Sequence, residues 1–187
     1  MAITYLPGTT IQTELASGAA ERILTPMFYS GGLVLSQVSQ ITGLEGYIVQ
    51  NWVKRKFLAP PQHKKYSRRQ LCRLLFINVL KDCFTLDQAA LLLGYINGVL
   101  SDDSDDLIDD SVLYGYFVDC IAALGAASPM RLDGTQDVIA RVTADYSNPN
   151  PSAGKRLSQV LDVMLAAYEA RHVMELAAER FAQLDLK

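Results

Sequence analysis

Between Leu33 and Phe57 the apolar residues fall into two short sets, each at helical spacing. Leu35, Val38 and Ile41 mark the inner face of a first helix, and Leu44, Val49, Trp52 and Val53 that of a second. Gly43 lies between them in Thr42-Gly43-Leu44 and can take the left-handed conformation that ends the first helix, which gives a helix-turn-helix spacing. The same periodicity sends Tyr47, Gln50, Asn51, Lys54 and Arg55 to the outer side. Trp52, in step with Leu44 and Val49, is read as a packing residue.

The flanking segments continue the helical pattern. Ile11, Leu15, Ala19 and Ile23 predict an amphipathic helix over Thr10 to Leu24, broken by Pro26 and Gly31-Gly32. Pro60-Pro61 ends the helix through Trp52, leaving Gln62 to Tyr66 as a loop or tight hairpin. Ser67-Arg68-Arg69-Gln70 then fits a capping box ahead of LCRLLFINVL, and Thr85-Leu86-Asp87-Gln88 repeats it ahead of AALLLGYI. Beyond the acidic run SDDSDDLIDD, helices are predicted over Ser111 to Leu124, Gly134 to Tyr146 and Lys155 to Leu184. The last would be about 45 Å long.

Charge changes the picture more than composition does. The formal net charge is -3, yet Glu45 to Lys81 holds nine bases and one acid, whereas Asp82 to Lys187 holds 17 acids and seven bases. A segment so basic inside an acidic chain is suited to an anionic partner. Within it, Arg68 and Arg69 fall in a predicted first turn, where the helix dipole disfavours bases, so an external phosphate is expected there. Chemistry of other kinds finds little support. Cys72, Cys83 and Cys120 are widely spaced and read as reduced core thiols, and neither a zinc nor a phosphate-loop pattern occurs. The acidic run fails as a calcium loop, because the sixth position is Leu107 or Ile108 where glycine is needed. His172 has no cysteine or carboxylate set about it. No catalytic residue, cofactor or metal is therefore expected, and no leader or membrane span is read.

In order along the chain, LSQVSQITGL resembles the first helix and turn of the DNA-binding domain of MerR-type transcription regulators. IVQNWVKRKFLAPP resembles their recognition helix and its exit, KKYS the return of the wing, and FTLDQAALLLGY the helix that follows. The segment is also similar to an uncharacterised bacterial family carrying this domain. Departures are a short wing, Gln50 and Asn51 where an arginine and an aromatic are usual, and Lys56 in place of a common glycine.

The resemblance implies a MerR-like winged helix-turn-helix with a short wing, and the helical spacing adds a C-terminal helical region ending in a long helix, so that a mainly α fold is expected. Three parts are expected: an amino-terminal amphipathic arm over 1–32, the DNA-binding domain over 33–100, and a dimerisation or effector region over 101–187. It further implies a cytoplasmic, sequence-specific regulator that binds double-stranded DNA as a homodimer, with any small-molecule effector left open. The residues expected at DNA are Tyr47, Gln50, Asn51, Lys54, Arg55, His63, Lys64, Lys65, Tyr66, Arg68 and Arg69. An interaction adaptor with the same fold but no sequence-specific DNA recognition is the alternative.

Overall fold

The computed structural model describes residues 4–98, 100, 103–125 and 132–184. The chain opens with a short antiparallel pair, β1 (Thr4–Tyr5) and β2 (Gln12–Thr13), in the register Thr4 to Thr13 and Tyr5 to Gln12. The helix expected over Thr10 to Leu24 is thus only its last part, α1 (Ala19–Leu24). Two tertiary demands override the local pattern. Thr10 gives its backbone N–H to the Ile41 carbonyl (2.8 Å) and its hydroxyl to that of Gln40 (2.7 Å), which satisfies orphan carbonyls at the end of a later helix. Gly18, at φ 74°, precedes α1, and its N–H is capped by Asp119 at 2.8 Å, 101 residues away.

The arm is anchored in the core. Leu6 is fully buried, the Tyr114 hydroxyl donates to the Pro7 carbonyl (2.6 Å), and the Asn78 amide bridges the carbonyls of Gly8 (2.9 Å) and Thr42 (3.1 Å). Gly8 has φ 74°, and a Cβ there would lie 2.7 Å from the Leu75 carbonyl oxygen, so any side chain at this crossing is excluded.

A 3-10 turn at Thr25–Phe28 leads to α2 (Leu35–Thr42) and α3 (Gly46–Lys54). Gly43 ends α2 at φ 71° with its N–H on Ser39, as its position predicted. Next come α4 (Arg68–Leu80) and α5 (Leu86–Asn97), both starting in capping boxes. Ser67 Oγ accepts from the Gln70 N–H (3.2 Å) and Thr85 Oγ1 from that of Gln88 (3.2 Å). After these lie α6 (Asp110–Leu124), α7 (Thr135–Val142) and α8 (Ala153–Ala182).

Every residue of α4 from Leu71 to Leu80 is buried, because α2, α5, α6 and α8 all pack on it. Phe76, Tyr114, Phe117 and Tyr168 form a chain of aromatic contacts with ring centroids 5.5 to 5.9 Å apart, linking α4, α6 and α8. One hydrophobic cluster extends from Leu6 to Tyr168 through all three of the expected parts. The acidic run does not separate two cores. Asp109 caps α6, accepting from the Ser111 N–H at 2.7 Å, and Asp110 is buried against Arg73. Among the described residues no helix is long and apolar enough to cross a membrane.

Candidate nucleic-acid interface

Val49 and Trp52 turn the inner face of α3 into the core, with Trp52 only 4% exposed. Tyr47, Gln50, Asn51 and Lys54 are then left along the opposite stripe, at successive spacings of three, one and three, and all four are exposed. The end of α3 is built from its own backbone. The Lys56 N–H bonds the Val53 carbonyl (3.0 Å) and the Phe57 N–H that of Trp52 (2.9 Å), closing the helix with Lys56 in the left-handed conformation at φ 63°. Glycine is the usual occupant of such a position. Arg55 extends over the Phe57 ring, 4.7 Å from its centroid, and remains exposed.

The segment after Pro60-Pro61 is a tight hairpin. Gln62 pairs with Lys65 and Leu33 with Tyr66, both antiparallel. His63 and Lys64 form the two-residue turn at φ 48° and 63°, and positive φ at both positions identifies a type I′ geometry. That geometry favours Asn-Gly, not His-Lys. Lys56, His63 and Lys64 are the positive-φ residues other than glycine among the described residues.

Not all of the expected contacts are open to a ligand. Tyr66 is 3% exposed, with its backbone N–H and carbonyl both bonded to Leu33 (2.7 and 3.0 Å), so its ring is a core element. Burial raises its phenol above the ordinary value. Arg68 is held by the chain's own Glu21 (Nη1 to Oε1, 3.1 Å) and by Thr25 (3.0 Å). Hydrogen bonds from Arg68 and Thr25 keep the Glu21 carboxyl below its usual range. Arg69 pairs with Asp106, and Asp109 and Asp110 lie 3.9 and 4.0 Å from its Nε. The unfavourable placement of two bases in a first turn is thus offset by internal carboxylates where an external phosphate was expected.

Arg73 is neutralised as well. Its Nη1 lies 3.4 Å from Asp110 Oδ2, and its Nε donates to the Phe57 carbonyl at 3.3 Å. Burial pushes the Asp110 carboxyl above its ordinary value, against the pull of Arg73, Arg69 and Asn97. On α3, its exit and the hairpin this leaves Lys54, Arg55, Lys56, Lys64 and Lys65, with Lys81 apart from them at the end of α4: all are exposed, and no carboxylate among the described residues lies within ion-pair distance of any of them. His63 shares their exposure. Lys56 joins the group as a residue absent from the expected set, although it belongs to the same basic run.

No cluster of three or more histidines, cysteines or acids fit to hold a metal occurs among the described residues. Cys72 and Cys120 are buried, and burial pushes both thiols up, Cys120 to about 12. Neither is a ready nucleophile.

Residues 32–117 match the family described as a domain of unknown function (DUF1836). The match begins just before α2 and ends within α6, crossing the boundary expected near residue 100 as the shared core does. The chain is 25% identical over 161 residues to the uncharacterised protein YkrK of Bacillus subtilis (strain 168), covering 80% of this chain and 69% of that one. No solved structure matches it significantly.

Proposed function

We propose that this protein is a sequence-specific DNA-binding transcription regulator of bacterial type, in which α2 and α3 serve as a helix-turn-helix and the Gln62–Lys65 hairpin as a short, MerR-like wing. The observation that carries this reading is the set of five exposed bases without carboxylate partners on α3, its exit and the hairpin. Chains that need a basic surface only for solubility intersperse acids with it; here only Glu45 interrupts the stretch from Arg22 to Lys81. Phosphates fix register through such bases. The stripe of Tyr47, Gln50 and Asn51 is the part of α3 free to meet base edges, and amide side chains pair well with adenine.

Fluorescence anisotropy of the full chain, on a duplex selected by it from random DNA and on a scrambled duplex, tests the reading over a range of salt. Affinity is expected to fall with salt on both duplexes and to favour the selected one. Gln50→Ala and Asn51→Ala should each reduce that preference by about 1 to 3 kcal/mol while leaving scrambled-duplex binding nearly unchanged. Equal affinity for the two duplexes would favour the adaptor alternative.

Binding as a dimer is part of the same reading. On α8 Val173, Met174 and Phe181, and just beyond its end Leu184, are large apolar residues left in solvent. An antiparallel pairing with a second copy about a twofold axis between Ala177 and Ala178 would set Met174 opposite Phe181 and Glu175 opposite Arg180. Light scattering is expected to give a dimer for the full chain at micromolar concentration and a folded monomer for Val173→Glu/Phe181→Glu. A monomeric parent chain would remove the dimer from the proposal.

A further inference from the structure

Tyr29 stands outside the helix-turn-helix and the hairpin, yet its side chain is 81% exposed, more than any other large hydrophobic residue described. A single exposed ring is ordinary. Its setting is less so, because the backbone that carries it is fixed on both sides. Its own N–H bonds the Pro26 carbonyl (3.4 Å), the Gly31 N–H bonds that of Phe28 (3.0 Å), and Lys65 Nζ reaches across from the hairpin to the Ser30 carbonyl (3.1 Å). Gly32, at φ 105°, lies so close to the hairpin that a Cβ would meet the Tyr66 carbonyl oxygen at 3.0 Å and Lys65 Cβ at 3.1 Å. The turn before α2 is thus moulded against the hairpin, and Phe28, Gly31 and Gly32 face His63 and Lys65 across one groove.

We infer that Tyr29 is a further DNA contact: its hydroxyl donates to a phosphate oxygen and its ring packs on the adjoining deoxyribose, beside the phosphates that Lys64 and Lys65 engage. This rests on the DNA-binding reading above. The occupant follows from charge. His63 and Lys65 border this turn, Lys64 is exposed between them in the hairpin, and the carboxylate of Glu21 is already held by Arg68 and Thr25, so the surroundings attract an anion. A tyrosine hydroxyl on a fixed backbone is a common partner of a DNA phosphate and carries no sequence information. Because the ring is neutral, it displaces no counterion. Its loss should therefore weaken binding without altering the salt dependence, unlike the loss of a lysine.

Anisotropy titrations with the selected duplex, together with hydroxyl-radical footprinting of its sugars, test the inference on the full chain. Tyr29→Ala is expected to lower affinity roughly three- to tenfold on selected and scrambled duplexes alike, with the log-log salt slope unchanged. It should also expose one or two sugars at the edge of the footprint. Tyr29→Phe should retain the sugar protection and lose only part of the affinity. Lys64→Ala, run in parallel, should reduce the slope by about 0.9 per bound copy. Unchanged affinity and footprint in Tyr29→Ala, with the parent chain binding normally, would overturn the contact alone. A parent chain that binds no duplex would overturn the DNA-binding reading, and this inference with it.

Discussion

Asp110→Ala is expected to destabilise the protein by about 3 to 5 kcal/mol, the cost of leaving a buried charge without its partner. The carboxylate is 1% exposed, and Arg73 beside it is 6% exposed. Asn97 Nδ2 donates to Asp110 Oδ1 at 2.8 Å, while Arg73 Nη1 lies 3.4 Å from Oδ2. With the carboxylate gone, the Arg73 guanidinium keeps only the Phe57 carbonyl among the partners described here. Four stretches are joined at this point: the exit of α3 through Phe57, the centre of α4, the end of α5 through Asn97, and the start of α6. Urea denaturation should show a lower midpoint with little change in slope. Arg73→Met/Asp110→Leu should recover part of the loss, since an apolar pair removes the desolvation cost that raises the Asp110 carboxyl. Recovery stays partial because the Asn97 amide would then lack its acceptor. A loss near 1 kcal/mol for Asp110→Ala would mean that water already satisfies Arg73.

The local features were legible because each is decided within a few residues. Gly43 ends α2, Ser67 and Thr85 cap their helices, Trp52 turns inward, and α8 runs over Ala153–Ala182 close to the predicted span. The amino-terminal arm was not legible. Ile11 and Leu15 are partly buried as a helix would bury them, yet they lie outside any helix, because the donors of Thr10 and Gly18 find acceptors 31 and 101 residues away.

Charge misled for the same reason. A sum over sequence treats every base as facing solvent, whereas Arg68, Arg69 and Arg73 meet Glu21, Asp106 and Asp110 across separations of 47, 37 and 37 residues. The acidic run read as a linker supplies two of those three partners. The basic surface is accordingly narrower than the sequence implied, and it is centred on α3 and the hairpin. A hairpin was foreseeable from Pro60-Pro61 and the shortness of the segment. That His63 and Lys64 would form its turn was not, since turn chemistry favours asparagine and glycine there.

Those unlikely turn residues lead to the second large effect. Lys56→Gly/His63→Asn/Lys64→Gly is expected to make the protein more stable and a weaker DNA binder at once. All three positions have positive φ, where a non-glycine residue carries strain of order 1 to 3 kcal/mol. Glycine relieves the strain but adds about 0.5 to 1 kcal/mol of unfolded-chain entropy, so a net gain near 1 kcal/mol is expected at each of the two glycine sites, with asparagine at 63 adding a smaller one through its tolerance of positive φ. The two lysines have no carboxylate partner that their removal would strand. Binding should respond in the opposite sense: losing two phosphate contacts lowers the log-log salt slope by about 1.8 per bound copy, equivalent to roughly 60-fold in affinity at 0.1 M salt. Thermal unfolding and anisotropy on the same preparations measure both. If the variant is more stable and binds DNA unchanged, the left-handed bases are an accident of the turn. If it is less stable, the three side chains make contacts that matter more than their backbone strain, and the hairpin's conformation has a structural cause.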